Sequence, residues 1–235
     1  MLGRPTRSAA AHATIVHLEA SEGAALRAFC LETIAEVFGV HYRTDWHADL
    51  DALATGDHHY LPDAGGAFLV ARAGDRVIGC GGLRSLTTRP DLAARFSDRH
   101  DGPVGSIWRV FVAPEWRCAG LGARLSAALD LEAAMLGYRS LYLHTSAETP
   151  RSVAFWQRQG YEACAVDGPG DDRTVHMDKP IDVAALAQRS GSAMTTGSYS
   201  GQRHHRQHHS VDGAAPTSTG SVGSASPQPR QTRAT

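Results

Sequence analysis

Residues Ser106 to Tyr161 read SIWRVFVAPEWRCAGLGARLSAALDLEAAMLGYRSLYLHTSAETPRSVAFWQRQGY, and the rest of the chain is placed around them. From Ile107 to Val112 the residues are β-branched or aromatic at alternating positions, a strand pattern that Ala113 and Pro114 stop because proline has no ladder N–H. Arg117-Cys118-Ala119-Gly120-Leu121-Gly122 follows as a glycine-rich turn. Beyond it Leu121, Leu125, Ala128, Leu129 and Leu136 recur at helical spacing, with Arg124, Asp130 and Glu132 on other faces. A glycine turn that opens a helix leaves the first N–H groups unpaired at the positive end of the helix dipole, a favourable seat for a phosphate. Two common phosphate loops do not fit this turn. It lacks the Gly-Lys-Ser/Thr ending of one, and Arg124 and Leu125 stand where the dinucleotide loop needs its third glycine.

Arg-x-x-Gly-x-Gly after a strand ending in Val-x-Pro resembles the acyl-CoA pyrophosphate loop of the GCN5-related N-acetyltransferase (GNAT) superfamily. The downstream Leu-Tyr-Leu-His strand, the helix carrying Ala154-Phe155-Trp156, and Gly160-Tyr161 are similar to that superfamily's next strand and helix. The resemblance implies an α+β fold with a central mixed, mostly antiparallel sheet of six to seven strands flanked by about four helices. It covers roughly residues 13–180.

Composition narrows the partners. The chain has 235 residues and a formal net charge of -1, so nothing electrostatic favours a nucleic acid or an anionic membrane. Cys30, Cys80, Cys118 and Cys164 stand singly, without metal-binding pairs or the density of a disulfide scaffold. No run approaches the ~18 apolar residues of a membrane span. The expected location is cytoplasmic. Residues 1–12 read as a frayed start, 13–182 as the domain, and 189–235 as a disordered low-complexity tail whose Ser, Gly, Thr, Gln and His content cannot offset the entropy of ordering. His204, His205, His208 and His209 in that tail have a spacing that suits a metal on a helix, but such a tract is more often merely solvated low complexity. No metal is expected.

Taken in order, Ala13–Glu19 alternates as a strand, and Glu22–Phe38 has helical spacing closed by Gly39. A short helix is expected from about Asp45 to Leu53 within a patch of His41, Tyr42, Asp45, Trp46, His47, Asp49, Asp51 and Asp57. Ala67–Ala73 and Arg76–Leu86 form a hairpin around Gly74-Asp75, and Gly79, Gly81 and Gly82 mark a bulge or a close approach by another segment. Thr87–Pro103 is a surface excursion with a short helix from Asp91 to Ser97. Glu162–Val166 and Arg173–Met177 close the sheet, the last strand ending before Pro180.

The site residues follow from the resemblance. It implies that Val110, Phe111 and Val112 pair through backbone atoms with the pantetheine arm of acetyl-CoA, with the Val110 amide facing the thioester oxygen. Arg117, Cys118, Ala119, Gly120, Leu121, Gly122 and Ala123 would hold the diphosphate, and Thr149, Ser152 and Trp156 would flank the cofactor from the next helix. The patch containing Tyr42, Asp45 and Trp46 would form one wall of the acceptor cleft, its carboxylates attracting a protonated amine. The same patch also reads as a capped surface helix with solvated charges.

Two positions depart from the family pattern. Ser106 stands where many relatives carry a glutamate base, and Trp156 stands where a tyrosine protonates the departing sulfur. His144 is therefore the candidate base, because imidazole titrates in the useful range, with Glu148 and Asp101 in reserve. Tyr42 or Tyr60 could replace the missing acid, or bulk water could serve. The implied activity is acetyl transfer to a primary amine of a small molecule or peptide, directly within a ternary complex, with a homodimer possible. The departures also suit an acyl-CoA-binding module with little or no turnover.

Overall fold

The chain's strands are β1 (Thr14–His17), β2 (Ala67–Ala73), β3 (Arg76–Ser85), β4 (Val104–Val112), β5 (Ser140–Ser146), β6 (Glu162–Asp167) and β7 (Thr174–Pro180). They form one sheet in the order β1-β2-β3-β4-β5-β7-β6, with every neighbouring pair antiparallel except β4 and β5. Five α-helices accompany them among the described residues: α1 (Gly23–Phe38), α2 (Thr44–Thr55), α3 (Pro90–Arg95), α4 (Leu121–Met135) and α5 (Pro150–Arg158). This computed structural model describes residues 12–56, 59–169, 173–184 and 186. The expected frayed start up to residue 11, Asp57 and the histidine-bearing tail lie outside the described residues. Contacts divide the chain into units 1–201 and 202–235, the second of which lies wholly outside them.

Helices cover both faces of the sheet, and the strand sequences record it. In β2, Ala67, Leu69 and Ala71 join the core beneath α4, where Leu121, Leu125, Leu129 and Ala133 are buried. The alternate residues Phe68 and Val70 pack with Leu26, Cys30 and Ile34 of α1 and Leu50 and Leu53 of α2. Period-two alternation with both faces apolar is what a strand covered on both sides requires. Under α3, Leu92 and Phe96 pack on Tyr142, which leaves β5 on the face opposite Leu141 and Leu143.

The three glycines of β3 do what their positions suggest. Gly82 pairs with Trp108 and Cys80 with Phe111, so Arg109 and Val110 together stand against Gly81 and form a bulge in β4. Arg109 takes a positive φ of 51° there. A Cβ on Gly81 would come within 2.8 Å of Leu129 Cδ1, and one on Gly82 within 2.6 Å of the Tyr60 ring. The glycines thus let α4 and Tyr60 lie directly on the sheet. Gly82→Ala should destabilise the fold by about 1–3 kcal/mol through overpacking, measured by urea denaturation. An unchanged midpoint would show that Tyr60 can move aside.

One boundary differs from expectation. β7 continues to Pro180, which pairs with Ser140, instead of ending before it. The Ile181 N–H reaches the Arg139 carbonyl on the β5 side, so the ring nitrogen of Pro180 faces the other side. β6 has already ended there, since its pairing with β7 stops at Asp178. The missing donor costs no ladder bond.

Candidate functional site

β4 and β5 are paired only over Val104–Ser106 and Ser140–Tyr142. Beyond that point the strands separate, and the bulge at Arg109–Val110 adds to the bend of β4. The opening is a cleft of about 700 Å³, with Trp108 to Val112 on one side and Leu143 to Ser146 on the other. Thr33 and Val37 of α1, Arg117, and Thr149, Arg151, Ser152 and Trp156 around α5 complete its walls. Of the residues expected at the cofactor, Val110, Phe111, Val112, Arg117, Thr149, Ser152 and Trp156 all line this cleft, and so does His144.

Cys118, Ala119, Gly120, Leu121, Gly122 and Ala123 are not among the lining residues. They form the turn directly after Arg117 and the start of α4. Gly120 caps α4 with a φ of 91°, and no side chain bonds to the free N–H groups of the first turn. An added Cβ at Gly120 would meet nothing within 4 Å, so the space above the turn is open. Leu121 sends its side chain into the core, while a Cβ on Gly122 would come within 3.3 Å of the Phe155 ring. Cys118 is exposed, also at positive φ. Arg117 ties this turn to the strand, its Nε donating to the Val112 carbonyl at 2.9 Å. Open donors, a helix N-terminus, and the cations Arg117 and Arg151 suit the diphosphate of a CoA molecule.

His144 stands at the end of β5, exposed in the cleft, with its ring edge-on to Trp108 at 5.1 Å. Packed neighbours, and then His176 in its protonated form and the guanidinium groups of Arg89, Arg109 and Arg84, push its pKa down to about 4. Solvent at the open edge works against the burial contribution, whereas the cations act in the same direction wherever water reaches. The imidazole is therefore neutral at neutral pH, able to accept a proton but a weak base.

The residues at departures from the family pattern are engaged elsewhere. Ser106 is 1% exposed and accepts a 2.7 Å bond from Trp108 Nε1. Trp156 packs between the Phe155 and Tyr161 rings. Neither alternative tyrosine is free, because Tyr60 donates to Asp49 at 3.0 Å and Tyr42 to Asp51 at 2.6 Å. Glu148 lines the cleft and is exposed, while Asp101 is exposed and is not among its lining residues.

The expected acceptor wall is arranged differently. Tyr42, Asp45 and Trp46 do not line the cleft. Asp45 pairs with Arg43 at 2.7 Å, Arg43 lies 4.2 Å over the Trp46 ring, and Asp51 accepts from Arg27 at 2.7 Å. Arginines on the same surface neutralise the carboxylates that the sequence suggests for attracting an amine. What the segment contributes is Asp49, which holds the cleft-lining Arg109, accepting from its Nε at 3.0 Å and Nη2 at 2.7 Å. Burial opposes ionisation of Asp49, but the two Arg109 bonds and Tyr60 more than offset it, holding its carboxyl below the usual range.

Arg84 is the other residue that pattern reading passes over. It is buried at 6% exposure, with its guanidinium 3.9 Å over Trp108. The signal available for both arginines was a lone charge inside an apolar strand, Arg109 after Ile107-Trp108 and Arg84 after Gly82-Leu83. No group of three or more metal-ligating side chains occurs among the described residues.

Residues 31–161 match the family model described as the Acetyltransferase (GNAT) family. An IAA acetyltransferase of Azospirillum brasilense is 30% identical over 116 residues, 48% of this chain and 67% of that protein. A mycothiol acetyltransferase of Saccharomonospora viridis is 29% identical over 62% of this chain, which spans only 48% of that relative's length. Among solved structures, a GNAT-family acetyltransferase from Staphylococcus aureus superposes with a TM-score of 0.56 at 18% identity, covering 72% of this chain and 99% of its own. The PaiA N-acetyltransferase of Thermoplasma acidophilum, in complex with coenzyme A, gives 0.54 at 15% identity over 72% and 98% of the two chains. At these identities the structural likeness speaks for the fold.

Proposed function

The chain belongs to the acetyltransferase (GNAT) family, and from that premise we propose that it moves an acetyl group from acetyl-CoA to a primary amine of a small molecule or peptide, directly within a ternary complex. The observation that carries this reading is the splay of β4 from β5, which ends at an uncapped helix N-terminus under open space. Acetyl-CoA supplies an activated thioester when bound. The main-chain N–H groups from Ala119 to Ala123, with Arg117 and Arg151, hold the diphosphate. The exposed backbone of Val110 to Val112 receives the pantetheine arm as an added strand, and Trp156 walls the cleft. His144 accepts the proton of the acceptor amine, whose own pKa near 10 keeps it mostly charged at neutral pH. Tyr42 and Tyr60 are held by Asp51 and Asp49, so water reprotonates the departing thiolate.

Incubating the protein with acetyl-CoA and a panel of amines, and following thiol release, tests the reading. Release that depends on the acceptor supports it. Tight acetyl-CoA binding with no release across the panel would leave an acyl-CoA-binding module instead.

The pH profile tests His144. With its pKa near 4, the neutral imidazole persists down to about that pH, so base function should be lost only as pH falls through about 4. An ordinary imidazole would lose it near 6.5. His144→Ala should lower kcat about 100-fold, the low end for a positioned base. An unchanged rate and profile would remove it from the mechanism.

A further inference from the structure

Arg84 has no role in the reading above, yet its placement is costly for a residue that merely fills space. Its Nε is sealed from solvent without a hydrogen-bond partner, and it forms no ion pair among the described residues. Burial lowers its pKa, opposed in part by Tyr60 and Asp49. Asp49, the carboxylate that acts on it, already gives both oxygens to Arg109. A buried charge usually has a paired and hydrogen-bonded partner because desolvating it is expensive. What holds Arg84 is aromatic: Trp108 at 3.9 Å and Tyr60 at 5.7 Å from its guanidinium carbon. Arg89 lies 5.9 Å from the same indole, with its Nε and Nη2 directed to Asp91. Arg84, Arg89 and Arg109 all act on His144 as positive neighbours. Two carboxylates, Asp49 and Asp91, answer three guanidinium groups, and the unanswered one is Arg84.

We propose that the acceptor is a small amine that carries a carboxylate, and that Arg84 is the specificity-determining residue that receives it. This rests on the acetyl-transfer reading of the cleft and names its substrate class. Arg84 is not itself a cleft-lining residue; Trp108 lines the cleft and lies against both Arg84 and His144, so the anion subsite adjoins the cleft at this indole, next to the group that takes the amine proton. Stacking on Trp108 fixes the guanidinium plane before the ligand arrives, and a planar fork of donors matches a carboxylate. The acceptor's carboxylate also supplies the counter-charge that the fold leaves out.

The experiment titrates the full chain, loaded with CoA, with L-amino acids, β-alanine and γ-aminobutyrate, each against its own carboxamide. The three chain types vary the distance between amine and carboxylate. The carboxylate form of the preferred probe should bind at least about tenfold more tightly than its carboxamide, the range of a charge-assisted hydrogen bond. Arg84→Met should erase that preference and Arg84→Lys should keep part of it. Equal binding of acids and carboxamides across the panel overturns the proposal, as does an unchanged preference in a folded Arg84→Met. The comparison on the unmodified chain is decisive even where the variant does not fold. Acetyl transfer is scored separately on the same probes. Equal transfer to acids and carboxamides overturns the anion site and leaves the transferase reading, whereas acid-selective binding without transfer does the reverse.

Discussion

Gly120→Asp should weaken acetyl-CoA binding roughly a thousandfold. Gly120 precedes the first turn of α4 at a φ of 91°, and a Cβ there would meet nothing within 4 Å. No clash within the protein accompanies the change, so the loss comes from the ligand side. A carboxylate about 4 Å from a diphosphate charge, at an effective dielectric of about 20, costs roughly 4 kcal/mol, which converts to about three powers of ten. Holding a non-glycine residue at that φ adds about 1–2 kcal/mol of strain to the folded state. Gly120→Ala carries the strain without the charge and should bind far more tightly than Gly120→Asp. Calorimetric titration with acetyl-CoA measures both. Equal affinities for the two variants would show that the diphosphate does not sit over this turn.

Asp49→Ala should destabilise the folded chain by about 3–5 kcal/mol, the cost of stranding a buried charge whose partner is removed. Asp49 and Arg109 side chains are 12% and 15% exposed, and the pair is bidentate. The substitution also removes the acceptor of the Tyr60 hydroxyl, which is fully buried. Two guanidinium groups, Arg109 and Arg84, would then face one another's field without the carboxylate that lies between their influences. Removing Asp49 and Arg109 together should cost clearly less than the sum of the single changes, since the double variant leaves neither charge of the pair stranded. Urea denaturation of the four proteins gives the cycle. A loss under about 1 kcal/mol for Asp49→Ala would mean that water reaches the pair and screens it.

Fold and loop were legible because their signals are local. Period-two alternation in β2, the proline after Val112 and the glycines around Leu121 each act on their own neighbours, and the strands and helices fall where those patterns put them. The end of β7 depends instead on a distant partner, since Pro180 is tolerated only because β6 has stopped on its open side. The acceptor wall shows the same limit more sharply. Tyr42, Asp45, Trp46 and Asp51 form an inviting patch in sequence, but Arg43 claims Asp45 and Arg27, from a different helix, claims Asp51.

The sequence by itself therefore determined the family, the sheet with its covering helices, and the turn from Arg117 to Gly122, because each depends on spacing along the chain. Only the tertiary structure decided how charge is distributed in the cleft. Asp49 and Arg109 are 60 residues apart and meet through three-dimensional packing. Among the described residues Arg84 forms no ion pair, because Asp49 is spent on Arg109, and His144 loses basicity first to burial and then to His176, Arg89, Arg109 and Arg84, which come from four separate segments. Electrostatic environment is a property of distances through space, and these residues acquire it only when the fold brings their strands and helices together.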